Sequence, residues 1–249
     1  MLVDNPKGNY LFVPGGDAFS NGVVSAVGHE IVRVTFKELV PWRQGFEFIE
    51  AYLVKRGRPR QALCAVDLRC AQPFSVEGFS DFNRDYSSLL ADWQILVENR
   101  NPMARTNVAP VLHPPTETSL FAFAYTAPIQ EEQRSTFVAS GAGEITRSAQ
   151  GEPVVIRPGE TSGEAIKEKN EGVMKILSGR LEALEKEWSQ VTAATIYTVH
   201  DIHSFLEDGI LSKMGTASLR GVQWQYARPP VVDIDYEVDF RGLGREINL

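Results

Sequence analysis

The stretch TFVASGAGEI, residues 136–145, decides how the chain is read. An apolar, strand-like run ends in a turn of small residues, and NYLFVPGGDAF at 9–19 does the same. Repeats of this kind fix an architecture before any single element does. From these two points the halves keep step. Strand-like sequence follows in each, VVSAVGHEIVRVTF (23–36) in the first and AGEITR and EPVVI (142–156) in the second. Each half then enters an amphipathic helix. Trp42, Phe46, Ile49 and Leu53 recur at helical spacing in the first; Ile166, Val173, Ile176, Leu177, Leu181, Leu184 and Trp188 form a longer stripe in the second. Thr161-Ser162-Gly163-Glu164 reads as the capping box of that second helix.

An apolar or β-branched run comes next in both, ALCAVDLRC (62–70) and VTAATIYTV (191–199). The pairs Asp81-Phe82 and Ser204-Phe205 then open a second helix in each half. The halves close on TSLFAFAYTA (118–127) and PVVDIDYEVDF (230–240). The latter alternates Val232, Ile234, Tyr236 and Val238 against Asp233, Asp235, Glu237 and Asp239, the pattern of a strand with one wet face. The expected fold is α+β: two tandem domains, 1–127 and 128–249, each a mixed β-sheet with two helices packed on one face. The polar segment PIQEEQRS (128–135) is the expected joint, short enough to imply packed halves.

Composition narrows the function. The 249 residues are 43% hydrophobic and 23% charged, an ordinary globular mixture. A formal net charge of −7 repels polyanions on average and argues against a nucleic-acid partner. No apolar run approaches bilayer length, and MLVDNPKGNY lacks the form of a signal peptide. Cys64 and Cys70 lie on one run roughly 20 Å apart at full extension, too far to bridge, so both are read as reduced thiols of a cytoplasmic protein.

The pieces FVASG (137–141), TIYTVHDIHSF (195–205) and GVQWQYARPPVVDIDYEVDF (221–240) are similar to the RidA (YjgF/UK114) family of imine deaminases. FVPGG (12–16), CAVDLRC, DFNRDY (81–86) and PMARTNVAP (102–110) carry the likeness through the first half. The resemblance covers nearly the whole chain as a tandem duplication, and order and spacing carry it rather than any one sharp motif. It implies a chorismate mutase-like fold, homo-trimers with sites in clefts, and hydrolysis of enamine or imine carboxylates to 2-oxo acids and ammonia with no metal and no organic cofactor. A branch of relatives deaminates 2-aminomuconate in aromatic degradation, and chorismate-hydrolysing enzymes use a two-domain version of the fold.

The family's arginine opens the penultimate strand after a Pro-x-Arg motif, which Pro102-Met103-Ala104-Arg105-Thr106 approximates. A guanidinium fork matches a carboxylate in bidentate fashion, so the resemblance makes Arg105 the clamp of a small carboxylate substrate, with Asn107 beside it. As an arginine opening a strand at a cleft, it is expected to carry no core contact. The family's final-strand acid, which holds the attacking water, falls at apolar Leu120-Phe121-Ala122 in the first half, leaving Glu117 as the near substitute. In the second half Asp233 fits that place, but the arginine motif is lost, with Arg220 one place out of step. One half thus keeps the clamp and the other the carboxylate. Whether a site forms within one half or between two is left open. Gly15-Gly16 and Ser140-Gly141 are read, through the resemblance, as turns lending N–H groups to the substrate; Tyr226 is read either as strand packing or as a pocket wall, with Arg228 or Arg220 as a second carboxylate contact.

Other chemistry finds less support. His200 and His203 lack a third metal ligand at suitable spacing. No glycine-rich turn precedes a helix at nucleotide-binding spacing. The leading expectation is a hydrolytic deaminase of a small enamine carboxylate, 2-aminomuconate in particular. A non-catalytic ligand-binding protein and a chorismatase-like hydrolase are the alternatives.

Overall fold

The structure, a computed structural model, describes residues 1–129 and 135–249. Most of the expected joint, residues 130–134, lies outside the described residues. The chain is mixed α+β, with two large sheets and a small hairpin.

In the first half, strands β1 (Val3–Asn5), β2 (Tyr10–Val13) and β3 (Gly22–Ser25) form a meander. Strand β4 (His29–Pro41) follows a turn at Gly28, whose φ of 78° suits glycine. The continuous run 23–36 is therefore broken. Helix α1 (Trp42–Lys55) buries Trp42, Phe46, Ile49 and Leu53 as the periodicity requires. Strand β5 (Leu63–Arg69), helix α2 (Val76–Asp92), β6 (Ala104–Pro110) and β7 (Ser119–Pro128) complete this part. Ser75 caps α2 by accepting from the Gly78 N–H, so the helix starts well before Asp81.

The second half opens with β8 (Phe137–Gly143) and a small hairpin of β9 (Ile145–Arg147) and β10 (Pro153–Val155). Helix α3 (Gly163–Ala183) takes Ser162 as N-cap, one residue beyond the expected Thr161. Strand β11 (Ala193–Tyr197) precedes residues 203–220, where short 3-10, π and α turns replace the expected second helix. Strands β12 (Gln223–Gln225), β13 (Ala227–Arg228), β14 (Glu237–Gly242) and β15 (Arg245–Asn248) finish the chain.

One sheet runs β13-β6-β5-β7-β4-β15, the other β1-β2-β3-β8-β14-β11-β12. Their inner orders, β6-β5-β7-β4 and β12-β11-β14-β8, match in sequence order and in direction: the first pair is parallel and the next two antiparallel. This topology corrects the alignment of the halves. β8 and β4 hold matching places, each coming before the first helix of its half and pairing with the last strand of that inner order, whereas the strand within NYLFVPGG lies in the meander. The N-terminal meander joins the sheet of the second half through β3 and β8, and β15 joins the sheet of the first half beside β4. Edge strands are thus exchanged across a boundary drawn at 127/128.

Three apolar layers result. Phe46, Ile49, Leu53, Tyr86 and Leu90 pack on Val32, Leu68 and Phe123 of one sheet. Ile166, Val173, Leu177 and Leu181 of α3 pack on Ile196, Val238 and Phe240 of the other. Between the sheets, Tyr10, Phe12 and Val23 meet Ile31, Ala65, Ala104 and Ala124. The supposed wet face of the last strand therefore turns inward: Glu237 and Asp239 are both buried. Buried charge needs partners. Arg33 donates to Asp67 at 2.6 Å, and the Tyr197 hydroxyl donates to Asp239 at 2.7 Å. Cys64 and Cys70 are free and buried, as expected.

Candidate functional site

Strand β6 pairs in parallel with β5, its Ala104 and Thr106 face the other sheet, and the strand lies against β8. The Arg105 amide donates to Ser140 Oγ at 3.0 Å, and Ser140 Oγ donates to the Ser20 carbonyl at 2.5 Å. These bonds tie β6 to the strand of the opposite half. A cavity of about 110 Å³ opens at this seam. Arg105 and Asn107 reach it from β6, Gly141 and Gly143 from β8, and Glu237 from β14; Phe19, Phe79, Ile145, Pro230, Val231 and Ile234 form its apolar wall.

Arg105 is buried, with four aromatic rings around its guanidinium at 4.9–5.7 Å: Phe19, Phe79, Phe82 and Tyr86. This corrects the expectation that it makes no core contact. Its Nη2 donates to Asn83 Oδ1 at 2.6 Å, while Nη1 is enclosed without an acceptor. Among the described residues it forms no salt bridge, and burial lowers its pKa from the usual value. Asn107 accepts from Cys70 Sγ at 2.7 Å, leaving its buried Nδ2 also without an acceptor. A buried donor left unpaired costs about 1–3 kcal/mol. Arg105 and Asn107 both line the cavity, and each holds one such donor, so an anionic acceptor brought beside them would be rewarded.

Glu237 completes the polar end. Burial, then the Asp239 carboxyl beside it, push its pKa up to about 8, against the pull of Arg180 and Arg105. It is mostly neutral at pH 7 and able to give a proton. Its seat exists because residue 141 is glycine: a Cβ there would overlap Glu237 Oε1. Gly141→Ala should therefore move the carboxyl and leave the fold intact, because the obstructing atom ends a flexible side chain. A misplacement on the ångström scale is worth about 100-fold in rate. Steady-state kinetics beside a melting curve tests this; unchanged kcat/KM would mean that the Glu237 seat is not catalytic.

Several residues singled out in the sequence stand elsewhere. Asp233 occupies an exposed turn with a φ of 68°, ahead of β14, and points no carboxylate into the cavity. Glu117 is exposed in the loop before β7. Glu237, four positions beyond Asp233 in the same alternation, is the acid that lines the cavity instead. Leu120 is core, packed against Gly45 of α1, and the acid its strand lacks arrives from the other sheet. Gly15 and Gly16 shape the loop that bridges back to Phe19 but do not line the cavity. Ser140 ties strands together, and only Gly141 of that pair faces the cavity. Arg220 is exposed in a separate groove with Thr136, Ser189 and Gly242. Tyr226 is half-exposed and Arg228 exposed at the edge strand β13, both away from the cavity. His200 approaches Asp235 at 3.5 Å, and His203 pairs with Asp201 at the surface.

Sequence reasoning missed Asn83, Phe19, Phe79 and Arg180 because only the fold brings them to the seam. Among the described residues, no group of three His, Cys, Asp or Glu side chains is arranged to hold a metal, and no helix is long and apolar enough to cross a membrane.

A family model described as 2-aminomuconate deaminase CnbZ matches residues 2–247. A 2-amino-5-chloromuconate deaminase of Comamonas testosteroni is 36% identical over 241 residues, covering 96% of this chain and 95% of that protein. Among solved structures, a chorismatase aligns with 97% of this chain and 78% of its own at 12% identity and a TM-score of 0.46. A cyanuric acid hydrolase covers 88% of this chain and 69% of its own, with 8% identity and a TM-score of 0.40. A Thermotoga maritima protein described as a putative endoribonuclease covers 55% of this chain and 92% of its own, with 18% identity and a TM-score of 0.31.

Proposed function

The chain belongs to the 2-aminomuconate deaminase family, and from that premise we propose that it deaminates a 2-aminomuconate-type enamine carboxylate in the Arg105–Glu237 cavity. The carrying observation is the meeting of Arg105, with its free Nη1, and a largely neutral Glu237 in one enclosed space. Neither half supplies both groups. In this reading the matching inner strand orders are two copies of one RidA-like unit, and the site lies between them.

The substrate carboxylate accepts from Arg105 Nη1 and Asn107 Nδ2, so the two unpaired donors become paired. The apolar wall takes the unsaturated chain. Glu237 gives its proton to the enamine carbon, converting the C=C–NH2 unit into a C=NH2⁺ iminium beside the bound carboxylate. The resulting Glu237 carboxylate takes a proton from water as the water oxygen adds to the iminium carbon. Glu237 then protonates the carbinolamine nitrogen; the C–N bond breaks, and ammonia leaves as the hydroxyl oxygen forms the carbonyl. The hydroxyl proton returns to Glu237. One water is consumed, and a 2-oxo acid and ammonia are released. Every transfer is general acid–base work by one carboxyl, and no electrons change hands between enzyme and substrate.

Purified protein, exhaustively treated with a chelator, should release stoichiometric ammonia from freshly generated 2-aminomuconate, followed by loss of the dienamine absorbance. Tight binding of the substrate without ammonia release would replace the enzyme reading with a binding one. Activity lost to the chelator and restored by a metal ion would refute the acid–base scheme.

A further inference from the structure

Strand β8 carries a β-bulge at the cavity. Ala142 pairs with Val238 and Ala139 with Phe240, so Ser140 and Gly141 together face the single residue Asp239. A bulge removes ladder partners from its carbonyls, and these must be satisfied elsewhere. Here they are met by one side chain from the helix layer. Arg180, in the last turn of α3, donates from Nη1 to the Ser140 carbonyl at 2.5 Å and to the Gly141 carbonyl at 3.1 Å. Its Nε is enclosed without an acceptor. On the opposite side of the same two residues, Ser140 holds the Arg105 amide and Gly141 leaves room for the Glu237 carboxyl.

We infer that Arg180 is a positioning residue for the deamination site: it holds the Ser140–Gly141 bulge in the form that seats Glu237, and supplies that carboxyl's counter-charge from behind the strand. The inference rests on the proposed role of Glu237 and adds to it a residue that does not line the cavity. The charged and titratable groups facing Glu237 are Asp239 on its own strand, Arg105 on β6, Cys70 after β5, Glu144 after β8, and Arg180 on α3. Arg180 and Arg105 are the two cations among them and both favour the ionised form, and burial in turn lowers Arg180 to about 10. A structural arginine that only bonded the bulge would leave the ionisation of Glu237 untouched. One that acts as its counter-charge would not.

The test is the pH profile of kcat/KM for wild type, Arg180→Met and Arg180→Lys, with the carboxyl titration followed by NMR on 13C-glutamate-labelled protein. The Glu237 signal is assigned by its loss in Glu237→Gln. In Arg180→Met, the Glu237 titration and the falling alkaline limb should both move up by about one unit, as expected for loss of a nearby opposite charge. Arg180→Lys keeps the charge but not the two-carbonyl geometry; its titration should stay near wild type while kcat falls. If Arg180→Met does not fold, Arg180→Lys decides alone: an upward shift of its titration, or full wild-type kcat, overturns the inference. A Glu237 titration unmoved in Arg180→Met overturns it too. In each of these cases an inactive Glu237→Gln enzyme would still uphold the cavity as the reaction site, so failure of the inference and failure of the function are read separately.

Discussion

Glu237→Gln should reduce kcat/KM for an enamine carboxylate by about 100- to 10,000-fold, the usual worth of a positioned general acid–base group. The amide matches the neutral carboxyl in size and can still donate a hydrogen bond, so folding should be retained. It cannot give and take back a proton. The same role fixes the sign of the pH dependence. Glu237 acts first in its protonated form, and its pKa is raised to about 8 by burial and by Asp239. The wild-type kcat/KM should therefore hold near neutrality and fall as pH rises through that value. Asp233→Asn and Glu117→Gln, both at exposed positions, should leave the profile unchanged. Near-wild-type turnover by Glu237→Gln would remove this carboxyl from the mechanism and return attention to those two acids.

Arg105→Lys is expected to fail nearly as badly as Arg105→Ala. Arg105 spends one guanidinium nitrogen on Asn83 and keeps the other for a carboxylate, a two-nitrogen planar geometry that the single nitrogen of a lysine ammonium cannot reproduce. Loss of a charge-assisted hydrogen bond is worth about 1.5–3 kcal/mol, or roughly ten- to a few hundredfold in kcat/KM. The four surrounding rings change how the comparison must be made. Alanine would empty space among Phe19, Phe79, Phe82 and Tyr86, so Arg105→Met, which keeps much of the volume, is the better charge-free variant. Arg220→Ala and Arg228→Ala serve as controls, both residues being exposed and away from the cavity. Wild-type activity in Arg105→Lys would show that a point charge suffices and that the fork is not used.

The helix stripes were legible because burial on one face leaves a period that any sequence window displays. Trp42, Phe46, Ile49 and Leu53 all lie inward, as do Ile166, Val173, Leu177 and Leu181. The strand alternation in VDIDYEVDF was legible too, but its meaning was not. Period two separates two faces without saying which is wet, and here the acidic face of Glu237 and Asp239 is covered by a second sheet. The broken second helix of the later half left no clear trace, since short turns through residues 203–220 still bury Phe205, Ile210 and Met214 at near-helical intervals.

Through its resemblance to the RidA family the sequence made Arg105 a candidate, and by itself it determined the α+β class, the amphipathic helices and the apolar strands. These depend on local periodicity and on the chemistry of single side chains, which neighbours in the chain record. Tertiary structure alone decided that β8 and β4 hold matching places in two sheets, that edge strands cross between those sheets, and that Arg105 shares its cavity with Glu237 rather than Asp233. It also decided the ionisation of that acid. Glu237 and Asp233 have the same carboxyl chemistry in the chain. Burial, then the Asp239 carboxyl beside it, push the Glu237 pKa up to about 8, and that enclosure is built by strands far apart in sequence, whereas Asp233 lies on an exposed turn.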